Sequence, residues 1–309
     1  MKPGFDRRTF LKRAGQAGGL IAVSGSLESF LAACGGNVST PAATGTQGAT
    51  KVASKGLKTP GIFSWGSDYV DGAPYVFKDP TNPSNLVGFE VDVVKQIARV
   101  MGITQQQAEN DYGQLEQALL ANKFDAVVNG WEITSDRQKT ELFSDPYYRY
   151  GQQIVVRADD SRFTSQDQNS TLSLKDLEGL NVGTGTGYKA ADILATDSKI
   201  KIKLYDTNLP FDDLAQRKID AVMIDLPPVA YYVLGSGPGG KPNKALKLIG
   251  KPLFPDNYVI GLNKANPNAQ VLVSELNQAL AVIKKDGSLK KVYQDWSMWN
   301  DQQADIGIV

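Results

Sequence analysis

The chain has 309 residues, with 33 basic and 33 acidic residues, no histidine and one cysteine, Cys34. This length allows about two domains. The charges are balanced and form no block of one sign, so nothing in the sequence suggests nucleic-acid binding. Without histidine there is no Ser-His-Asp or Cys-His catalysis and no histidine metal site, and a lone cysteine excludes an internal disulfide. We therefore expect no nucleic-acid partner, no metal and no other cofactor.

The first 33 residues follow the order of segments that is typical of a bacterial export signal. Arg7-Arg8 precedes an apolar pair at the spacing of a twin-arginine motif. Residues 14–33 are weakly apolar and are interrupted by Glu28, so they would span a membrane poorly. They end in Leu-Ala-Ala before Cys34, which resembles the lipobox of bacterial lipoproteins. We predict a signal peptide over residues 1–33 and lipidation of Cys34. The alternative is a cytosolic start with an incidental cysteine.

Residues 34–56 are small and polar and contain few apolar side chains. A segment of this composition cannot offset the entropy that it would lose on ordering, and it therefore predicts a flexible linker. With the lipid anchor, the linker places the folded body outside the cytoplasm. We expect a cell-membrane lipoprotein, in the periplasm or on the outer face of the cytoplasmic membrane.

The folded body begins at Leu57 and alternates strands with helices. A short apolar run, Ala126, Val127 and Val128, predicts a buried strand over residues 124–128. Residues 88–101 carry apolar side chains at helical spacing and stop at Gly102, which predicts a helix. Several such units in succession indicate an α/β layer architecture, in which the end of the chain returns to complete the first set.

The strand before Asn129-Gly130 leads into a segment suited to binding an anion. The residues 134–136, Thr-Ser-Asp, offer N-cap side chains for a following helix. Arg137 falls in the first turn of that helix, where a guanidinium beside exposed backbone N–H groups suits a carboxylate. The same residues also fit an ordinary surface arginine in a loop.

A second loop contains the alternating glycines Gly183, Gly185 and Gly187 between a predicted strand and a helix. Their spacing is not that of a dinucleotide-binding loop, and no Walker lysine follows. The N–H groups that glycines leave accessible at a helix start suit a carboxylate equally well.

Five segments occur in an order that resembles the family 3 solute-binding proteins of ABC importers, which bind polar amino acids. They are GFEVDVVKQIA (88–98), KFDAVVNGWEITSDRQKTELFSDPYY (123–148), LEGLNVGTGTG (177–187), KIDAVMIDLPP (218–228) and DGSLKKVYQDW (286–296). Together with the sequence between them, they extend the resemblance over nearly all of residues 57–296.

The resemblance implies an α/β, two-lobed, type II periplasmic-binding-protein-like fold. Each lobe is a sheet flanked by helices, and two hinge strands let the lobes close on a ligand. Lobe 1 is then residues 57–152 plus 251–309, and lobe 2 is residues 153–250. The resemblance also implies a monomer without cofactor that binds a small amino-acid-like ligand and docks on ABC permease subunits, held at the membrane by its lipid anchor.

The same resemblance implies a ligand-binding site shared by both lobes. Arg137 would hold the ligand α-carboxylate and Asp225 its α-ammonium group, because a zwitterion needs one fixed cation and one fixed anion. The loop donors would be Gly130 and Glu132 in lobe 1 and Gly185, Thr186 and Tyr188 in lobe 2. The acidic position would be Asp68, and the cleft aromatics would be Tyr69 (or Trp65) and Tyr112. Trp131, beside the same turn, is a further candidate. The alternatives are an exposed pair of charges and aromatic residues that belong to the core.

Glu132 departs from the family pattern, which has a small hydroxyl residue two positions after the loop glycine. If Glu132 faces the cleft, its carboxylate would attract a cationic ligand group and repel an acidic one. We therefore expect a preference for basic or amine-bearing solutes. The alternative is that Glu132 points to solvent or pairs with Lys189.

These features lead us to expect a binding protein that delivers a polar amino acid or related amine-bearing solute to an ABC permease, and no enzymatic activity. One alternative is an enzyme on the same fold, of the dehydratase or cell-wall lyase type, for which Glu132 and Asp225 are the available carboxylates. Another is a binding protein that feeds a sensor.

Overall fold

The computed structural model describes residues 54–70, 72–206 and 209–309. These residues all belong to one compact unit of the chain. The predicted signal peptide and Cys34 lie outside the described residues. Within the described ranges, no helix is long and apolar enough to cross a membrane.

Strands and helices alternate along the described chain. The strands are β1 (Ile62–Ser67), β2 (Phe77–Lys78), β3 (Leu86–Val87), β4 (Thr104–Glu109), β5 (Ala126–Val127), β6 (Glu141–Phe143), β7 (Tyr148–Arg157), β8 (Asn181–Gly185), β9 (Lys201–Tyr205), β10 (Ala221–Asp225), β11 (Leu246–Tyr258) and β12 (Gly261–Asn263). The helices are α1 (Phe89–Met101), α2 (Leu115–Leu120), α3 (Arg137–Thr140), α4 (Lys189–Leu194), α5 (Phe211–Ala215), α6 (Leu226–Tyr232), α7 (Ala269–Lys285) and α8 (Ser288–Asp295).

The first sheet has the strand order β4-β1-β5-β12-β6. β1 pairs in parallel with β4 and β5, whereas the late strand β12 pairs antiparallel with β5 and β6. Apolar side chains of α1, α7 and α8 share one buried cluster with β1 and the residues beside β5. The end of the chain therefore completes the sheet that its beginning starts.

The second sheet has the order β11-β7-β10-β8-β9. β8 pairs in parallel with β9 and β10, and β7 pairs antiparallel with β10 and β11. Two separate apolar clusters cover it, one containing α4 side chains and the other containing side chains of α5 and α6. Each sheet is therefore buried by helices of its own lobe.

The two longest strands, β7 and β11, connect the sheets. They pair antiparallel from Leu246 opposite Arg157 to Tyr258 opposite Tyr148. At the end nearer the first sheet the rings of Tyr150 and Tyr258 stack with their centres 4.2 Å apart. Two α/β lobes joined by a pair of crossing strands confirm the expected type II fold.

The sequence predicts the helices and strands that carry an apolar pattern and misses a strand made of polar residues. Helix α1 ends as predicted at Gly102, which has φ 64° and caps the helix in the left-handed conformation. The sequence does not predict the edge strand β4, because its residues TQQQAE lack apolar alternation. The sequence indicates a strand only over residues 257–262, whereas β11 begins at Leu246. The first part of β11 is missed because a glycine and two prolines interrupt its apolar pattern.

Candidate functional site

A cavity of about 460 Å³ lies between the two lobes. Its wall comes from the segments that follow β1 and β5 in the first lobe and from the ends of β8 and β10 in the second, which is where open α/β sheets bind ligands. The predicted site residues that line it are Asp68, Tyr112, Gly130, Glu132, Gly185, Thr186, Tyr188 and Asp225. The predicted residues Tyr69, Trp131 and Arg137 lie outside this lining.

The turn at Gly130 is held between two buried side chains. On one side, Oε1 of Glu90 accepts hydrogen bonds from the Gly130 backbone N–H at 2.6 Å and from the Tyr147 hydroxyl at 2.5 Å. On the cavity side, a Cβ at position 130 would lie 3.0 Å from the Tyr75 ring, and Gly130 has φ 57°. Only glycine adopts this conformation in this space without strain. Burial raises the pKa of Glu90 to about 7.

Arg137 begins α3, and its backbone N–H donates to the Thr134 hydroxyl at 3.2 Å. Its guanidinium carbon lies 3.4 Å from the centre of the Trp131 ring. One guanidinium N–H donates to the Glu132 carbonyl oxygen at 3.0 Å, and the side chain also hydrogen-bonds to Tyr112. Arg137 is only 7% exposed. Stacking and hydrogen bonding therefore hold the guanidinium against its own loop.

Asp225 ends β10 and is buried at the cavity wall. Its Oδ1 accepts a hydrogen bond from the Gln152 amide at 2.7 Å, and its Oδ2 accepts from the hydroxyls of Tyr258 at 2.5 Å and Tyr75 at 3.5 Å. Burial raises the pKa of Asp225 more than these donors lower it. Because Tyr75 belongs to the first lobe and Asp225 to the second, the carboxylate joins the two lobes.

Glu132 lines the cavity and is 2% exposed. Its Oε1 accepts a hydrogen bond from the Tyr150 hydroxyl. Burial, and after it the negative charge of Asp225, raise the pKa of Glu132. Lys189 forms an ion pair with Asp256. The side chain therefore faces the cleft, and neither the solvent-facing arrangement nor a pair with Lys189 is present.

Gly185, Thr186 and Tyr188 form part of the second-lobe wall. The backbone N–H of Thr186 donates to the Tyr205 carbonyl at 2.9 Å, and that of Tyr188 donates to the Gly185 carbonyl at 3.3 Å. The Tyr188 ring meets the Tyr112 ring across the cavity, with centres 5.2 Å apart. This loop therefore offers the cavity an aromatic surface, while these two N–H groups are already bonded.

The other predicted aromatics lie beside the cavity. Tyr69 lines a separate depression of about 390 Å³, where the Lys78 ammonium lies 4.8 Å from its ring centre. Trp131 is buried beneath the arginine and donates its indole N–H to Glu141 at 2.7 Å. Trp65, the alternative to Tyr69, is fully buried in the first-lobe core.

Sequence reasoning misses the residues that hold the two cavity carboxylates. Tyr75 and Asn129 line the cavity, while Gln152, Tyr150 and Tyr258 bond to Asp225 or Glu132. Tyr75 and Tyr258 are 183 positions apart in sequence, yet their hydroxyls are 2.8 Å apart. Their only local signal is a tyrosine within or beside a predicted strand, which equally fits a core residue.

The sequence profile of the bacterial extracellular solute-binding proteins, family 3, matches residues 68–298. The arginine-binding periplasmic protein of Mannheimia haemolytica is 26% identical over 225 residues, which cover 71% of this chain and 86% of that protein.

Two solved structures extend the comparison. An ancestral arginine-binding protein bound to glutamine is 31% identical, with a TM-score of 0.65, and the match covers 78% of this chain and 100% of that one. The ancestral amino acid-binding protein AncCDT-1, a precursor of cyclohexadienyl dehydratase, is 27% identical, with a TM-score of 0.64 and coverages of 76% and 95%. The present chain belongs to the bacterial extracellular solute-binding proteins of family 3.

Proposed function

We propose that this protein is the binding component of an ABC importer and captures a polar amino acid or a related amine-bearing solute outside the cytoplasm. Family membership supports the transport role, and relatives named for binding arginine support an amine-bearing ligand. The protein then presents its ligand to permease subunits in the membrane.

The buried carboxylate of Asp225 is the observation that carries this proposal. It lies at the cavity wall with its position fixed by Gln152 and Tyr258, and a second buried carboxylate, Glu132, lines the same cavity. A preorganised pair of buried carboxylates favours a cationic group, because opposite charge is screened little at a buried site. An ammonium or guanidinium group fits this wall.

Closure of the two lobes about β7 and β11 completes the proposal, with lobe 1 at residues 57–152 plus 251–309 and lobe 2 at residues 153–250. The hydrogen bond between Tyr75 and Asp225 and the contact between Tyr112 and Tyr188 join the lobes across the cavity. A ligand that bridges the same walls favours the closed arrangement by its differential affinity.

Isothermal titration calorimetry on ligand-stripped protein tests this function with arginine, lysine, glutamine and glutamate. We expect the cations to bind more tightly than glutamate. Asp225→Asn should weaken cation binding by about tenfold or more, because it removes the charge and keeps the shape. Asp220→Asn is the matched control, since Asp220 is an ion-paired aspartate of the same lobe outside the cavity lining. Tightest binding of glutamate would contradict the proposal.

We also propose that residues 1–33 direct export and that Cys34 carries the lipid anchor. Twin arginines and the Leu-Ala-Ala-Cys sequence support both steps. Fractionation tests the anchor: the protein should be found with the membrane, and Cys34→Ser should release it. A membrane fraction unchanged by this substitution would contradict the lipid anchor.

We propose that the protein binds its solute without converting it. Glu132 and Asp225 are the buried carboxylates of the described cavity, and both are already hydrogen-bonded to tyrosine hydroxyls. The similarity to a precursor of cyclohexadienyl dehydratase makes a direct assay necessary. Mass spectrometry of a bound solute after long incubation should return the unchanged mass, and any converted product would contradict this view.

A further inference from the structure

Carboxylates dominate the charged side chains that line the cavity. No lysine or arginine of the described ranges contributes to the wall, whereas five acidic residues do: Asp68, Asp111, Glu132, Asp206 and Asp225. The described histidine, cysteine, aspartate and glutamate side chains form no group that could hold a metal ion. The excess of negative charge therefore points to an organic cation.

The two cations that act on Glu132 are engaged elsewhere. The Arg137 guanidinium stacks on Trp131 and donates to the carbonyl oxygen of Glu132. Lys189 is paired with Asp256. Neither cationic residue lines the cavity. A ligand carboxylate would therefore meet an acidic wall. Arg137, which the resemblance implies as the partner of that carboxylate, is not among the residues that line the wall.

Building on the solute-binding function proposed above, we propose that the preferred solute is an aliphatic diamine or guanidino-amine with a positive charge at each end and no carboxylate. One cationic end lies at the buried carboxylates of Glu132 and Asp225. The other end faces the more exposed carboxylates of the wall, Asp68, Asp111 and Asp206. The ligand is thus the decarboxylated counterpart of a basic amino acid.

The contrast between the two ligand classes is electrostatic. A ligand carboxylate brought beside the ionised carboxylates of Glu132 and Asp225 places like charges together in a low-dielectric cavity, which opposes binding. An ammonium or guanidinium group at the same place neutralises the buried pair and forms charge-assisted hydrogen bonds with it. Glu132 is therefore the residue that selects against the carboxylate.

Proton release follows from the same geometry. A cation bound at Glu132 and Asp225 favours their ionised forms, so the affinity for an amine rises with pH until the amine itself loses its proton. The groups that face the two carboxylates are Arg137, Lys189, Gln152, Tyr75, Tyr112, Tyr150, Tyr188 and Tyr258. Burial raises the pKa of each of these five tyrosines, which therefore keep their protons throughout.

Matched ligand pairs test the inference by calorimetry on ligand-stripped protein: arginine against agmatine, and lysine against cadaverine. The members of each pair differ by one carboxylate. We expect each amine to bind about tenfold or more tightly than its amino acid. We also expect its affinity to increase from about pH 6 to about pH 8.5.

Two variants test whether the Glu132 carboxylate in the cavity wall sets the preference for amines. Glu132→Gln keeps a hydrogen-bonding side chain beside Tyr150 and should reduce the ratio of amine to amino-acid affinity by about tenfold. Glu141→Gln removes another buried carboxylate, which lies outside the cavity lining, and should leave the ratio unchanged.

Tighter binding of arginine and lysine than of their amines would overturn the inference, and so would an unchanged ratio in Glu132→Gln. Binding of glutamine without binding of any of the four cations would also overturn it, while leaving the solute-binding function intact. If neither amino acids nor amines bind, the proposed function fails as well.

Discussion

Replacing Gly130 with alanine tests how the cavity loop is built. Gly130 has φ 57°, and the added Cβ would lie 3.0 Å from the Tyr75 ring. Gly61 is a matched control in the same lobe, because it has φ 79° and no heavy atom within 4 Å of the added Cβ. Both alanines carry the strain of the left-handed conformation, but only one displaces a neighbour.

The left-handed conformation costs an alanine about 1–2 kcal/mol, of which roughly 0.4–1 kcal/mol is offset by reduced freedom of the unfolded chain. Gly61→Ala should therefore lower the free energy of unfolding by about 1 kcal/mol. Gly130→Ala carries the same strain and an overpacking cost of about 1–3 kcal/mol, for a total of roughly 2–4 kcal/mol. Urea unfolding of the ligand-free proteins measures the difference between the two variants.

Ligand affinity should separate the variants further. The Tyr75 hydroxyl hydrogen-bonds to the Tyr258 hydroxyl at 2.8 Å and reaches Asp225. Moving the ring disturbs this carboxylate, so Gly130→Ala should weaken ligand binding by about tenfold, while Gly61→Ala should leave it unchanged. Equal unfolding free energies and equal affinities for the two variants would show that the Tyr75 ring does not restrict the side chain at position 130.

Three further substitutions probe charge, stacking and closure. Arg137→Lys keeps the charge but loses the planar stack on Trp131, and should lower the free energy of unfolding by about 1–2 kcal/mol in urea; an unchanged value would show that the stack is not stabilising. Burial raises the pKa of Glu132 in the folded protein above its ordinary value of 4.5. The stability that this carboxyl contributes to the ligand-free protein is therefore fully present at a pH below 4.5 and is lost as the pH rises through the raised pKa. Thermal unfolding from about pH 5 to about pH 9 should therefore show a decline that Glu132→Gln flattens, and parallel curves would contradict this origin. The Tyr231 ring, on α6 of the second lobe, lies 5.5 Å from the Phe77 ring in the first-lobe apolar cluster and outside the cavity lining. Tyr231→Ala should therefore weaken closure of the lobes and raise the Kd measured by calorimetry by about fivefold. An unchanged Kd would exclude a role of this contact in closure.

The sequence indicates those site residues that follow a buried strand. Asp225 ends an apolar run and Gly130 follows another, so the pattern of apolar residues is enough to place both at the carboxyl ends of strands. The Asn129-Gly130 turn is also a local signal, since a positive φ at glycine is a property of the residue itself.

The remaining features depend on contacts between distant segments. The stacking of Arg137 on Trp131 fixes the position of the guanidinium. The two residues are six positions apart, and the sequence between them does not predict that their side chains stack. The donors to Asp225 come from three separate parts of the chain, Tyr75, Gln152 and Tyr258. The positions of these side chains depend on how deeply they are buried and on which groups they bond to, and both are properties of the folded chain.

A crystal structure of the protein bound to the solute that co-purifies with it would show whether Asp225 binds a cationic group in the cavity. We predict a cationic nitrogen of the solute within about 3 Å of the Asp225 carboxylate, with the rest of the molecule inside the cavity between the lobes. An anionic group of the solute at Asp225, or a solute bound outside this cavity, would contradict the proposed binding site.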